Sequence, residues 1–143
     1  MNTKKIAHQL VSLCRNGKHL EAYQELYDDF AISKEKRTSF DITTEGKARI
    51  IEEFLINQGN IIKVHSFSIS EPLVADHYFV VKMTSDTTFA DIGRVQMEEL
   101  CLYKVENDKI TEAQFFYEPL NEADYFMDSI MKRKKSLDEE LFV

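Results

Sequence analysis

The chain has 143 residues, 43% hydrophobic and 11% aromatic, with four glycines, two prolines and no tryptophan. That composition fits one folded domain with its own core, and it excludes a disordered, collagen-like or linker-rich chain. Eighteen basic against 25 acidic residues leave a formal charge of −7, which excludes a binder driven by phosphate neutralisation.

The first half reads as helices. Ile6, Leu10 and Leu13 recur at helical spacing until Asn16-Gly17. Leu20, Tyr23, Leu26 and Tyr27 form a second apolar stripe that runs to Asp28-Asp29, and a short strand is expected from Phe30 to Lys36. Thr44 is the expected N-cap of a third helix with Ile50, Ile51, Phe54 and Leu55 on one face, closed by Gln58-Gly59-Asn60. The second half reads as strands at Ile61–Ser70, Val74–Thr84, Arg94–Val105 and Ile110–Tyr117. Residues 106–109 join the last two as a tight hairpin. After Pro119, Asn121 caps a final helix with Ala123, Phe126, Met127, Ile130 and Met131 on its apolar face, and Leu120 with Tyr125 as a staple. Helices followed by a curved antiparallel sheet make an α+β layout: a cone-shaped sheet wrapped around N-terminal helices, with an added C-terminal helix. Residues 1–120 form the cone domain and 121–143 a helical extension of it.

Cys14 and Cys101 have neither disulfide nor zinc spacing and read as buried free thiols. No apolar run approaches a membrane span, and Arg15, Lys18 and His19 interrupt anything like a signal sequence; a cytoplasmic protein is expected. His8, His19 and His77 have no partners at ligand spacing, so neither a metal nor another cofactor is expected, nor is binding to nucleic acid or membrane. The basic run Lys132–Lys135 suits a helix C-terminus.

The order of elements and three segments resemble the SnoaL-like branch of the nuclear-transport-factor-2-like (ketosteroid isomerase-like) superfamily. The segments are ELYDDFAISKE (25–35), TEGKARIIEEF (44–54) and GRVQMEELCLYKVENDKITEAQFFYEP (93–119). The first is similar to that family's helix-to-strand passage, the second to its Gly-led third helix, the third to its long terminal hairpin. The resemblance implies a fold that hosts isomerases, cyclases, dehydratases, hydrolases and plain binding modules. It also places Glu35 near the position of the isomerase's proton-moving carboxylate. The Tyr and protonated Asp that stabilise the enolate in that enzyme fall on Leu10 and Cys101, which are poor donors. Steroid isomerase activity is therefore not expected.

Strand alternation sorts residues 94–105 into two faces. Val95, Met97, Glu99, Cys101, Tyr103 and Val105 share one, and that nearly apolar face is assigned to a cavity. A carboxylate there needs a partner or a proton, and desolvation should raise the pKa of Glu99. His65 shares a face with Phe67 and Ile69 and is a second candidate proton carrier. In the last strand, Thr111, Ala113, Phe115 and Tyr117 are placed inward.

Two functional readings follow. In the first, an enzyme works without a cofactor on a small apolar carbonyl or polyketide-like compound by isomerisation, cyclisation or dehydration. Glu35, His65 and Glu99 are its catalytic candidates, and Tyr103, Tyr117, Cys101, Met97 and Phe115 line the ligand site. In the second, the chain is a ligand-binding or dimerisation module without catalysis. Under both, the outer sheet face with Leu100, Leu102 and Phe116 is expected to pair with a second copy.

Overall fold

A computed structural model describes residues 2–36 and 41–117. Helix α1 spans Thr3–Arg15 and buries Ile6, Ala7, Leu10, Val11 and Cys14. It ends where Gly17, at φ 72°, lets the Lys18 N–H reach back to the Leu13 carbonyl at 2.8 Å. Helix α2 spans His19–Leu26. The apolar stripe predicted a helix running beyond Tyr27, but the backbone turns extended there, at φ −86° and ψ 141°. Strand β1 therefore begins at Tyr27 and runs to Lys36. Tyr27 is buried in either geometry, so its side chain could not reveal the switch.

A short strand β2, Asp41–Glu45, pairs with β1 and was not expected. Thr44 lies within it and caps no helix; its hydroxyl donates to Glu53 Oε2 at 2.8 Å. The N-cap of α3 (Lys47–Gly59) is Gly46 instead, at φ 93° and ψ 138°. That backbone region is nearly closed to residues with a Cβ. Gly46→Ala should cost about 1–3 kcal/mol in a urea melt, from backbone strain alone, since an added Cβ would meet nothing closer than the Asp29 carbonyl at 3.8 Å. Ile50 is buried as expected, whereas Leu55 is exposed, so the apolar face of α3 is narrower than predicted.

The remaining strands are β3 (Ile61–Ile69), β4 (Leu73–Ala75), β5 (Tyr78–Phe89), β6 (Gly93–Glu106) and β7 (Lys109–Tyr117). The strand predicted over 74–84 is thus a small β4–β5 hairpin turning at Asp76, which takes φ 54°, and β5 continues to Phe89. Asn107 and Asp108 both adopt positive φ in the β6–β7 turn, as a two-residue hairpin requires. The seven strands form an open sheet in the order β2-β1-β7-β6-β5-β3, with β4 on β5. The α+β architecture matches the expectation with one difference: β1 and β7 run parallel, so the sheet is mixed. The final helix, its staple, the Lys132–Lys135 run and the 121–143 extension lie outside the described residues.

Helix α1 packs on β3, β4 and β5, and α3 on β1 and β2. The inner sheet face and the helices share one core that includes Leu10, Tyr27, Phe79, Val81, Cys101, Tyr103 and Ala113. Both cysteines are buried free thiols. A register shift after Lys104 puts Ile110 into the core and leaves Thr111 half-buried, with its hydroxyl on the Lys104 carbonyl. Thr111 thus departs from its predicted inward place, whereas Ala113, Phe115 and Tyr117 keep theirs.

Candidate functional site

The alternation predicted for β6 holds: Cys101, Tyr103 and Val105 are buried, and Leu100 and Glu98 face out. Glu99 shares the inner face with them. Its cross-strand neighbours are Met83 on β5 and Tyr117 on β7. In the next row, Cys101 stands opposite Val81 and Phe115, and Phe115 opposite Glu35 on β1. Parallel pairing of β1 with β7 therefore places Glu35 one row from Glu99 on the same sheet face, with β7 between them. The Tyr117 hydroxyl closes the gap by donating to Glu35 Oε2 at 3.1 Å. Ile42, Met97 and Phe115 pack around Tyr117 as an apolar wall.

Two carboxylates thus share one apolar patch. Burial, reinforced by the negative charge of Glu35, pushes the Glu99 pKa up to about 7. The Cys101 thiol, within hydrogen-bonding reach, only partly opposes this. Near neutral pH Glu99 is poised between acid and carboxylate, which suits proton transfer. Burial also pushes the Cys101 thiol well up, so it is a neutral packing group rather than a nucleophile. Tyr103 is 2% exposed, stacked on Phe79 at 4.7 Å and edge-on to Phe115. It forms part of the floor, with its phenol held neutral by burial.

His65 is not brought to this patch. A register irregularity between Val64 and Ser66 breaks the alternation in β3. The exposed His65 ring instead pairs with the Thr88 hydroxyl at 2.7 Å, beside the Asp86–Arg94 ion pair, where Arg94 Nη2 lies 2.7 Å from Asp86. Phe67 and Ile69 keep the inward orientation and pack on the core.

Helix α2 supplies two groups that sequence reasoning missed. Tyr23, one turn after His19, packs against Tyr27 and Phe54 with ring centroids 5.0 and 5.1 Å away. Its phenol is pushed up by burial, then by Cys14 and by the charge of Glu99, with Cys101 and Glu35 adding to it. His19 sits between Phe67, edge-on at 5.0 Å, and Phe54 at 6.3 Å. Burial pulls its pKa down, favouring neutral imidazole. The available signal was the spacing of four between His19 and Tyr23, which puts both on one helix face. Among the described residues no group of three or more His, Cys, Asp or Glu could hold a metal ion, and no helix is long and apolar enough to cross a membrane.

The SnoaL-like domain profile matches residues 1–117. A solved structure from Mesorhizobium loti, a candidate SnoaL-like polyketide cyclase also labelled carbohydrate phosphatase, is 30% identical with a TM-score of 0.76. The match covers 82% of this chain and all of that one. A candidate isomerase from Bacillus subtilis is 18% identical, with TM-score 0.63 over 86% of this chain and 95% of that one. An LEH-like epoxide hydrolase from M. tuberculosis is 13% identical, with TM-score 0.59 over 81% of this chain and 82% of that one. These last two share the fold. No protein of curated function matches the chain.

Proposed function

The chain belongs to the SnoaL-like domain family, and we propose that it is a cofactor-free enzyme that moves a proton on a small, mostly apolar carbonyl compound. The observation that carries this reading is the convergence of Glu35, Tyr117 and Glu99 on one apolar patch of the inner sheet face. In this reading the Glu35 carboxylate takes a proton from the carbon beside the carbonyl. The C–H electron pair moves into the enolate, whose oxygen accepts a hydrogen bond from the protonated Glu99. Glu35 then returns the proton to a conjugated carbon, which moves the double bond and isomerises the compound, or to the same carbon, which only exchanges its hydrogen; nothing is consumed. Tyr117 orients Glu35. His65 has no step in this scheme, and Cys101, Tyr103, Met97 and Phe115 form the floor and wall. The Mesorhizobium protein, 30% identical, carries two names, and the first of them, polyketide cyclase, supports a carbonyl compound as the substrate.

Exchange of the α-hydrogens of 1-tetralone in deuterated buffer, followed by proton NMR, tests the reading without knowledge of the natural product. Exchange well above the buffer rate is expected. A rate equal to buffer with saturating protein would sink it.

The outer sheet face supports a second copy as partner. Leu100 and Phe116 are cross-strand neighbours, 49% and 39% exposed, and Leu102 lies beside them on β6. Such a patch is a liability in water unless covered. A homodimer is expected in light scattering at micromolar concentration, and Leu100→Glu with Phe116→Glu should shift it to monomer. A wild-type monomer would refute the pairing.

A further inference from the structure

Three polar groups stand in single file on the inner face of β6. Tyr103, Cys101 and Glu99 follow one another at every second residue. The cross-strand neighbours of Tyr103 are Phe79 and Ala113, and those of Cys101 are Val81 and Phe115. None of these four carries a polar side-chain atom. The thiol is fully buried, at 0% exposure, and Tyr103 is nearly so. Among its neighbours in the sheet, the Cys101 sulfur therefore meets polar groups only along its own strand, two residues away on either side. Same-face neighbours on a strand lie about 6.5–7 Å apart at Cα, a gap that a glutamate or tyrosine side chain can bridge. Both contacts are made: the Tyr103 hydroxyl donates to the sulfur, and the thiol donates to the Glu99 carboxylate.

That contact distinguishes the two oxygens of Glu99. An S–H bonds a carboxylate oxygen, or the carbonyl oxygen of the protonated acid, in preference to the oxygen that carries the proton. The acid proton is thereby left on the oxygen that Cys101 does not hold. A thiol is also a weak donor. It can turn the carboxyl without favouring the ionised form as strongly as a hydroxyl would. The other titratable groups facing this file are Glu35 and Tyr27 on β1, Tyr117 on β7, Tyr23 on α2 and Cys14 on α1. No cation stands among them to compete with the thiol for Glu99.

Resting on the proton-transfer reading of this site, we infer that Cys101 is a positioning residue: its thiol, itself held by the Tyr103 hydroxyl, turns the Glu99 carboxyl so that the acid proton stays on the oxygen offered to the substrate. It acts through Glu99, as a neutral donor, and forms no bond to the substrate.

The Glu99 carboxyl can be read without any ligand, by carbon-13 NMR titration of protein labelled at the glutamate side-chain carboxyls, with Glu99→Gln identifying the signal. In wild type the midpoint is expected near pH 7. Cys101→Ala removes the donor and should raise the midpoint by about half to one pH unit. Cys101→Ser keeps a donor and should return it to the wild-type value or below. Tyr103→Phe removes only the hydroxyl that polarises the thiol, and should raise the midpoint by less than Cys101→Ala does. Lost packing volume alone would move the Ala and Ser variants together, since both side chains are smaller than cysteine. Exchange of the 1-tetralone α-hydrogens is the second readout. Its alkaline fall should follow the midpoint, and at pH 6 Cys101→Ala should be slower by roughly tenfold, with the loss on the rate more than on ketone affinity. Equal midpoints in the three proteins, or equal shifts in the Ala and Ser variants, would overturn the positioning role and leave the carboxylate pair and its chemistry standing. The expected shifts in a protein that exchanges no 1-tetralone would uphold the contact and sink the proton-transfer reading instead.

Discussion

Glu35→Gln should slow α-hydrogen exchange of 1-tetralone by about 10²–10⁴-fold, the usual worth of a positioned general base. The amide matches the carboxylate in shape and can still accept the Tyr117 hydrogen bond seen at 3.1 Å in the native protein. Apolar contacts with Met97 and Phe115 would be untouched. Ketone affinity should therefore stay within about threefold, and the loss should fall on the rate and not on binding. The pH profile supplies an independent mark. Glu99 must be protonated to donate to the enolate oxygen, so the wild-type rate should fall as pH rises through about 7. Replacement of Glu99 by Gln, a donor at every pH, should remove that fall. Exchange by Glu35→Gln at the wild-type rate would exclude Glu35 as the base.

The parts of the fold legible in the sequence were those set by a single strong periodicity. Strand β6 alternates without interruption through Cys101, Tyr103 and Val105, and its inward face is legible because only one residue on it, Glu99, is charged. Helix α1 ends at a glycine that the turn needs. The errors fall where tertiary contacts override a local preference. Tyr27 fits an apolar helix stripe as well as the core of a strand, and only its place beside β7 decides between them. Thr44 looks like a helix cap because threonine caps well, yet Gly46 alone tolerates the backbone angles at that corner. Nothing local could disclose that β1 and β7 run parallel.

The same logic divides the candidate site. Glu99 stands out as a lone carboxylate on an apolar face, and the raised pKa expected from that placement is what its surroundings produce. Its convergence with Glu35 depends on long-range pairing across β7, which no spacing encodes. Strict alternation puts His65 inward with Phe67 and Ile69; one irregularity beside it frees the ring to bond Thr88. His19 lacks partners at metal spacing in the sequence, and its partners in the fold are aromatic rings on α3 and β3.

Glu99→Gln should leave a protein whose stability depends less on pH than that of the wild type, and which is the more stable of the two in alkaline buffer. Glu99 has a native pKa of about 7 against 4.5 for an ordinary glutamate. Its native state therefore binds the proton more tightly than the unfolded chain. Below pH 4.5 both states are protonated, and the buried carboxyl is neutral and comfortable. As pH rises from there the unfolded chain ionises first, and wild-type stability declines until the native group also ionises near pH 7. The cumulative loss is at most about 3 kcal/mol, and most of it lies between pH 5 and pH 8. Gln does not titrate and lacks this decline. Urea unfolding at pH 5, 6, 7 and 8 should show the stability difference, variant minus wild type, grow by about 2–3 kcal/mol across that range. Growth that is steepest between pH 5 and pH 7 would identify Glu99 as its source, since the Asp86 carboxylate, held low by Arg94, acts at lower pH. A difference that stays constant from pH 5 to pH 8 would mean that Glu99 is ionised in the native protein, and it would take from the site the proton that the enolate needs.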